Sequence, residues 1–244
     1  MANFTILDNK THKNTRVITG RGAEFGESIH LVPVIAAELN KLILEYPVCL
    51  IKDNDTGQFG LSALLGFEVG ENLFLNKNKW EANYVPLHIK RQPFMVRINA
   101  PIGVKPSTEN TVITINMDNT RVQESQGELL FDDKGNITPY MEEINNQLAL
   151  LVNGMILTED FIKTLSEYDL IEAVQLTVTF NNEDKNFEGI YTINEDKLKL
   201  LSADILTRLH QKGYLQASYL LIASIGNIQK LIGLKRKRLT EKNN

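Results

Sequence analysis

The sequence predicts an α+β protein with an antiparallel, β-rich N-terminal half packed with a helical C-terminal half that contains a late β-hairpin. Short apolar runs separated by turn residues fill the chain up to a turn at 132–136. Long helical patterns follow that turn, interrupted by one strand pair. Because strands and helices do not alternate, the order favours segregated elements over a doubly wound sheet.

The first elements are a strand, a helix and a strand pair. Residues 30–34 (His-Leu-Val-Pro-Val) are extended, since proline biases its predecessor away from helix. Residues 36–46 have the spacing of an amphipathic helix, and its apolar face holds Leu39, Leu42, Ile43 and Tyr46. Pro47 ends that helix. Residues 48–51 then predict a buried strand, and 61–67 predict its hairpin partner across the turn at 53–57.

A second pair of strands is predicted at 93–98 and 111–117. The residues between them, Ala-Pro-Ile-Gly-Val-Lys-Pro-Ser-Thr-Glu-Asn, are typical of a loop because they are rich in Pro, Gly and Asn.

The helical half begins at Thr138, an N-cap residue that is followed by proline at the first helical position. This helix is expected to reach about Leu157, and Thr-Glu-Asp at 158–160 to begin a second one. Strands at 175–180 and 187–193 are predicted to form a hairpin across Asn-Asn-Glu-Asp. The last helices are expected near 196–211 and 214–233.

The predicted organisation is an N-terminal segment (1–27), one domain (28–234) and a basic tail (235–244). A lobe boundary inside the domain, if there is one, falls near 132–138. No linker composition or solenoid repeat is visible.

The charge distribution bears on the class of partner. A net charge of −4 argues against nucleic acid. Residues 195–244 carry a net +6, however, and much of it comes from a terminal run of Lys235, Arg236, Lys237 and Arg238. We interpret this run as a solvated tail after the last helix, with contact to an acidic partner or an anionic lipid as the alternative.

Nothing in the sequence indicates a Sec signal peptide, because no apolar region follows a basic stretch at the N-terminus. The apolar runs are shorter than the roughly 20 residues that span a bilayer. We therefore expect a soluble chain without a transmembrane segment, located in the cytoplasm, with surface association by another route left open.

A search for chemical motifs finds no phosphate-binding loop, nucleophile elbow or metal-ligand spacing. Gly-Arg-Gly-Ala-Glu-Phe-Gly at 20–26 is interpreted as a turn, with anion binding as a minor alternative. The single cysteine, Cys49, lies in an apolar run and is expected to be buried and inert. We expect no catalytic residue, cofactor or metal.

The stretch 72–94 combines aromatic, basic and proline residues more closely than the rest of the sequence, and it holds the only tryptophan. Its aromatic, basic and proline residues are interpreted either as core and loop anchors or as a docking surface, with an active site as a third alternative. The candidate binding residues are Asn72, Trp80, Tyr84, Pro86, Lys90, Arg91 and Phe94.

Several of these segments together resemble the SapC family of bacterial proteins. In the N-terminal half the resemblance lies in His-Leu-Val-Pro-Val (30–34), Leu-Leu-Gly-Phe (64–67), Glu-Asn-Leu-Phe (71–74), Tyr-Val-Pro (84–86) and Lys-Arg-Gln-Pro-Phe (90–94). Later motifs include 130–139, 189–198, 209–215 and 224–231, so the resemblance covers about 28–234. Lys90 stands where arginine is usual in the family, and Gln92 where an aromatic residue is usual.

The resemblance implies a setting rather than a reaction. The family takes its name from a bacterial surface-layer system, and members are often encoded near halogenases, oxygenases and outer-membrane receptors. We therefore expect a non-catalytic module that binds a protein or peptide partner. An enzyme or enzyme subunit that acts with an oxygenase or halogenase is the alternative, and direct incorporation into a surface layer is a third. The oligomeric state is left open.

Overall fold

The computed structural model describes residues 3–99, 110–180 and 183–242, without the side chains of 183–185 and 242. The predicted loop at 100–110 lies outside these residues except for Asn110. The predicted α+β class, with antiparallel sheets and a helical C-terminal half, is confirmed.

The strands are, in chain order, β1 Phe4–Ile6, β2 Arg16–Val17, β3 Leu31–Pro33, β4 Val48–Lys52, β5 Phe59–Leu64, β6 Leu75–Asn76, β7 Lys79–Trp80, β8 Phe94–Ile98, β9 Thr111–Asn116, β10 Val122–Gln123, β11 Glu128–Leu129, β12 Ile171–Ala173, β13 Leu176–Phe180, β14 Glu183–Phe187 and β15 Ile190–Ile193. The helices are α1 Leu39–Leu42, α2 Leu87–Lys90, α3 Pro139–Glu167, α4 Glu195–Lys199, α5 Ala203–Gln211, α6 Tyr214–Ser224 and α7 Ile228–Lys242. Short 3₁₀ turns occur at Ala23–Phe25, Ala36–Glu38 and Ile225–Asn227.

The chain divides into two compact units. The first unit is Met1–Ser28, Leu75–Glu81 and Leu87–Gly154, and the second is Ile29–Phe74, Ala82–Pro86 and Met155–Asn244.

The first unit is built on the antiparallel sheet β1-β9-β8. Phe94 pairs with Ile115 in this sheet, and both side chains are fully buried. Their face of the sheet belongs to a core cluster that also includes the apolar side of early α3, at Met141, Ile144 and Leu148. This spacing of three and four residues is what places one face of a helix against a sheet.

A smaller sheet, β10-β2-β11, fixes the path of the chain around Val17. Gly127 has φ 98°, and a Cβ there would lie 2.4 Å from the carbonyl oxygen of Val17. Glycine is therefore required at this close approach of the two backbones. Since Val17 is fully buried, the segment that follows β2 begins from a fixed position.

The second unit contains the five-stranded antiparallel sheet β12-β15-β4-β5-β3. The predicted strand at 48–51 and its hairpin partner are confirmed as β4 and β5, with Cys49 opposite Ser62. The Val48 N–H donates to Ser224 Oγ on α6, which in turn donates to the Val48 carbonyl, so one hydroxyl satisfies both backbone groups.

A late hairpin is present, as predicted, but its second strand lies earlier in the chain than expected. β13 pairs with β14, whereas β15 pairs with β12 and β4 in the larger sheet. The expected strand at 187–193 is interrupted at Gly189, where φ is 78°, so residues on its two sides join different sheets. Residues 181 and 182 of the predicted turn lie outside the described part of the chain.

The prediction that a second helix begins at 158–160 is wrong, because α3 continues through these residues to Glu167. Thr158 does not cap a new helix. Its Oγ1 accepts a hydrogen bond of 2.8 Å from the Ala36 N–H, at the start of a 3₁₀ turn. The true N-cap is Thr138, as predicted, and its Oγ1 accepts from the Met141 N–H.

The predicted helix over 36–46 is shorter than expected and consists of the 3₁₀ turn and α1. At the C-terminus, residues 235–242, expected beyond the last helix, continue α7. Lys235 is only 7% exposed, and its Nζ lies 2.6 Å from Glu71 Oε1 and 3.4 Å from Glu68 Oε1. An intrachain ion pair therefore occupies the first residue of the basic run.

Candidate functional site

Most of the side chains expected in a contact patch are interior. Asn72, Trp80, Pro86 and Phe94 are buried, and Trp80 exposes only 7% of its surface. Asn72 Oδ1 accepts from the Phe74 N–H at 3.0 Å and so holds its own loop. These positions match the core-and-anchor interpretation of the stretch.

Tyr84 is half-buried in the second unit and anchors the segment that carries it. Its hydroxyl donates to Glu38 Oε1 at 2.8 Å, and its carbonyl accepts from the hydroxyl of Tyr46. Burial, together with the charge of Glu38, raises the pKa of Tyr84. Two hydrogen bonds therefore attach residues 82–86 to the region of α1.

Arg91 in the first unit folds back on its own turn. Its Nη1 donates to the Phe94 carbonyl and its Nε to His88 Nδ1, and burial lowers its pKa. Burial and the Arg91 charge lower the pKa of His88 to about 4, so this imidazole is neutral at neutral pH. Arg91 thus links the end of α2 to the start of β8 through hydrogen bonds within its own turn.

Lys90 lines a pocket of about 200 Å³ within the first unit. The segment after β2 contributes Ile18, Thr19 and Arg21 to its wall, and the last residue of α2 and the turn after it contribute Lys90 and Gln92. The other side is formed by Arg121, Tyr140, Glu143, Ile144 and Gln147. The last four lie at i, i+3, i+4 and i+7 on α3, so they share one face of the helix.

Two arginines of this pocket share one buried carboxylate. Glu27 is fully buried, and its Oε1 accepts from Arg21 Nη1 and from Arg121 Nη2, each at 2.7 Å. Its Oε2 accepts from the Gly22 N–H at 3.0 Å. The carboxylate therefore fixes both guanidinium groups and the start of the turn at Ala23–Phe25.

Arg121 has a further role in shaping the wall. Its Nη1 donates to the carbonyls of Ile18 and Gly20, and its guanidinium carbon lies 4.2 Å from the centroid of the Phe25 ring. The side chain is 2% exposed, and burial lowers its pKa. Arg121 therefore orients the segment that carries Arg21, which remains 24% exposed.

The wall also contains polar atoms without partners. Among the described residues, Arg121 Nε and Gln147 Oε1 are buried and make no hydrogen bond. Gln147 Nε2 donates to Glu143 Oε1 at 2.9 Å, which fixes the direction of its amide. Two residues that line one pocket, Arg121 and Gln147, thus each carry a buried polar atom without a partner, which native proteins usually avoid.

The sequence profile of the SapC family matches residues 7–231. The chain belongs to the SapC family. It matches no curated protein and no solved structure.

In this SapC-family chain, the pocket residues were mostly missed from the sequence. Arg121 gave no local signal, because it lies on a different segment from Tyr140 and Gln147, which share α3. Arg21 lies in the glycine-rich stretch 20–26, for which anion binding was only the minor alternative. Of the seven candidate residues, Lys90 alone lines the pocket.

Metal-ligand side chains and the single cysteine are two further kinds of candidate group. Within residues 3–99, 110–180 and 183–242, no group of three or more His, Cys, Asp or Glu side chains could hold a metal ion. Cys49 is buried, as predicted, and burial raises the pKa of its thiol to about 12, which makes the thiolate scarce at neutral pH.

One stretch, Tyr214–Glu241, is long and apolar enough to cross a membrane by length and composition. It spans α6, a 3₁₀ turn and α7, and 39% of its most apolar 18-residue segment is buried within the chain. A single helix of this kind is weak support for membrane insertion, because a core helix passes the same test.

Proposed function

We propose that this SapC-family chain is a non-catalytic binding module for a protein or peptide partner and serves a bacterial cell-surface or peptide-modification system. The observation that carries the proposal is the pocket of the first unit. Arg21, Lys90 and Arg121 lie in its wall beside amide and hydroxyl side chains. A few convergent polar groups on separate segments are typical of sites that fix the orientation of a bound group.

The proposed contact residues differ from the patch that was expected from the sequence. Trp80 is interior, and the guanidinium of Arg91 is engaged within its own turn. Lys90 and Gln92 are the part of the stretch 72–94 that reaches the pocket, where they join Arg21. We therefore propose that the partner is bound at Arg21 and Lys90, with the buried aromatic residues holding the loop in place.

The enzyme alternative makes a different structural prediction. It requires a polar pocket that gathers His30, His88 or His210 with a carboxylate. The pocket described above includes Glu143 but contains no histidine. Elemental analysis and an absorption spectrum of the untagged protein test this alternative directly, since a stoichiometric metal or chromophore would support it.

The binding proposal is tested by cross-linking in cells that naturally encode the chain. The tagged full-length chain is captured and its cross-linked partners are identified by mass spectrometry. We compare the wild type with an Arg21→Gln/Lys90→Gln variant, and use Arg97→Gln as the control because Arg97 is exposed on β8 and outside the pocket. A defined partner, recovered by the wild type and the control, is expected. A wild-type chain that captures nothing above a tag-only sample overturns the proposal.

A further inference from the structure

The pocket has a net positive charge, and two of its lining residues, Arg121 and Gln147, each carry a buried polar atom without a partner. We propose that it binds the carboxylate of a peptide together with an adjoining N–H group. This inference rests on the proposed function and names the chemical group that the pocket takes. The carboxylate is either a chain terminus or an acidic side chain, and the two share the same chemistry.

The charge at the pocket comes from four lining side chains and one supporting carboxylate. Arg21, Lys90 and Arg121 are basic and Glu143 is acidic in the lining, and Glu27 supports the two arginines from outside it. Glu27 is held between the two arginines, so one carboxylate offsets two buried or partly buried guanidinium charges. The net positive charge of these partly buried groups favours a single negative charge from a ligand.

Arg21 is the group best placed to receive this charge. Arg121 gives both Nη1 hydrogens to backbone carbonyls and uses Nη2 for Glu27. Arg21 forms its ion pair with Glu27 through Nη1 and is the more exposed of the two. A planar guanidinium matches the geometry of a carboxylate, and Lys90 adds a point charge on the same wall.

The unpaired atoms favour a peptide over an inorganic anion. Gln147 Oε1 is an acceptor without a partner, so it needs a donor from a ligand, and a peptide N–H is such a donor. Glu143, which lines the same space, repels a dianion more strongly than a monoanion. A peptide carboxylate with its neighbouring N–H supplies one negative charge, an acceptor and a donor.

The size of the pocket agrees with a small group. Its volume of about 200 Å³ lies below the roughly 300–1,000 Å³ that is typical of sites for drug-sized ligands. A carboxylate and one adjoining peptide group are of a suitable size. The remainder of a partner would lie outside the pocket.

The test is a nuclear magnetic resonance titration of the ¹⁵N-labelled full chain. The probes are acetyl-Gly-Gly with a free C-terminal carboxylate, acetyl-Gly-Gly amide, acetyl-glutamate α-amide with a free side-chain carboxylate, and inorganic phosphate. The readouts are the Nε–H signals of Arg21 and Arg121 and the side-chain amide of Gln147.

We expect at least one carboxylate probe to shift the Arg21 and Gln147 signals, and the amide probe to leave them in place. Arg21→Gln should weaken the binding about tenfold, as expected for the loss of one charged hydrogen bond. Lys90→Gln should weaken it less, and Arg97→Gln should leave it unchanged. If Arg21→Gln does not fold, the inference is tested by Lys90→Gln, which should still weaken binding of the carboxylate probe relative to Arg97→Gln. Comparison of the terminal and side-chain carboxylates identifies which source is preferred.

Three outcomes overturn the inference. Shifts with phosphate alone indicate a general anion site, and equal shifts with the amide probe remove the role of charge. No shift with any probe indicates a purely structural polar cluster. The proposed function fails separately, when the wild-type chain captures no partner in cells. A partner captured equally well by the Arg21→Gln/Lys90→Gln variant keeps the binding function and rejects this pocket as its site.

Discussion

Arg121 Nη2 and Glu27 Oε1 lie 2.7 Å apart, and neither side chain exposes more than 2% of its surface. This buried ion pair joins the turn at Ala23–Phe25 to the segment before β10, and it holds the pocket wall together. In buried pairs, removal of one partner is strongly destabilising because the other charge remains without compensation.

The first prediction concerns Glu27. Glu27→Gln leaves the guanidinium groups of Arg21 and Arg121 without their shared carboxylate, so we expect the free energy of unfolding to fall by about 3 kcal/mol. Urea unfolding measures this loss. The matched control is Glu24→Gln, an exposed residue in the same turn, which should change stability by less than about 0.5 kcal/mol. Equal effects of the two substitutions would contradict the prediction.

The second prediction concerns Tyr84. Tyr84→Phe removes the hydroxyl that donates to the buried carboxylate of Glu38. Since hydrogen bonds to charged groups contribute about 1.5–3 kcal/mol, we expect a loss of roughly 2 kcal/mol in the free energy of unfolding. Tyr219→Phe is the control, because Tyr219 is exposed on α6. A stability of Tyr84→Phe equal to that of the wild type would show that the hydroxyl does not anchor the segment.

The third prediction is a pH dependence from His88. The folded state holds its pKa at about 4, below the ordinary value of 6.5, so the unfolded chain binds more protons between these values. Stability is therefore fully present above about pH 6.5 and is lost as the pH falls towards 4, by roughly 3 kcal/mol at most.

His88→Asn tests this dependence. The asparagine amide oxygen can accept the hydrogen bond from Arg91 Nε without gaining a proton. We expect the stability of the variant to fall less steeply than that of the wild type between pH 6.5 and 4. Unfolding curves at several pH values provide the measurement, and parallel curves for the two proteins would rule out His88 as the source.

The fourth prediction separates two lysines of the basic run. Lys235→Met leaves Glu71 without its closest cation in a partly buried place, so we expect a loss of about 2 kcal/mol in stability. Lys237→Met removes the same charge from an exposed position and should cost less than about 0.5 kcal/mol. Thermal unfolding compares the two. Similar melting temperatures would mean that the ion pair at Lys235 contributes no net stability.

The sequence determined the features that depend on neighbours along the chain. Proline and apolar spacing located β3, β4 and β8 to within two residues, and Thr138 with Pro139 fixed the start of α3. The ordered motifs were long enough to identify the family that the profile match confirms. Such signals are local, because a helix or a strand repeats its pattern over a few residues.

Only the tertiary structure decided which strand paired with which and where the pocket lay. The strand that pairs with β13 depended on a break at Gly189. The role of Thr158 depended on the backbone N–H of Ala36, which is more than a hundred positions away in the chain. The pocket brings Arg21, Lys90, Arg121 and Gln147 together from four separate segments. Their hydrogen bonds and charges act through space, so no local pattern of residues carries the information that places them together.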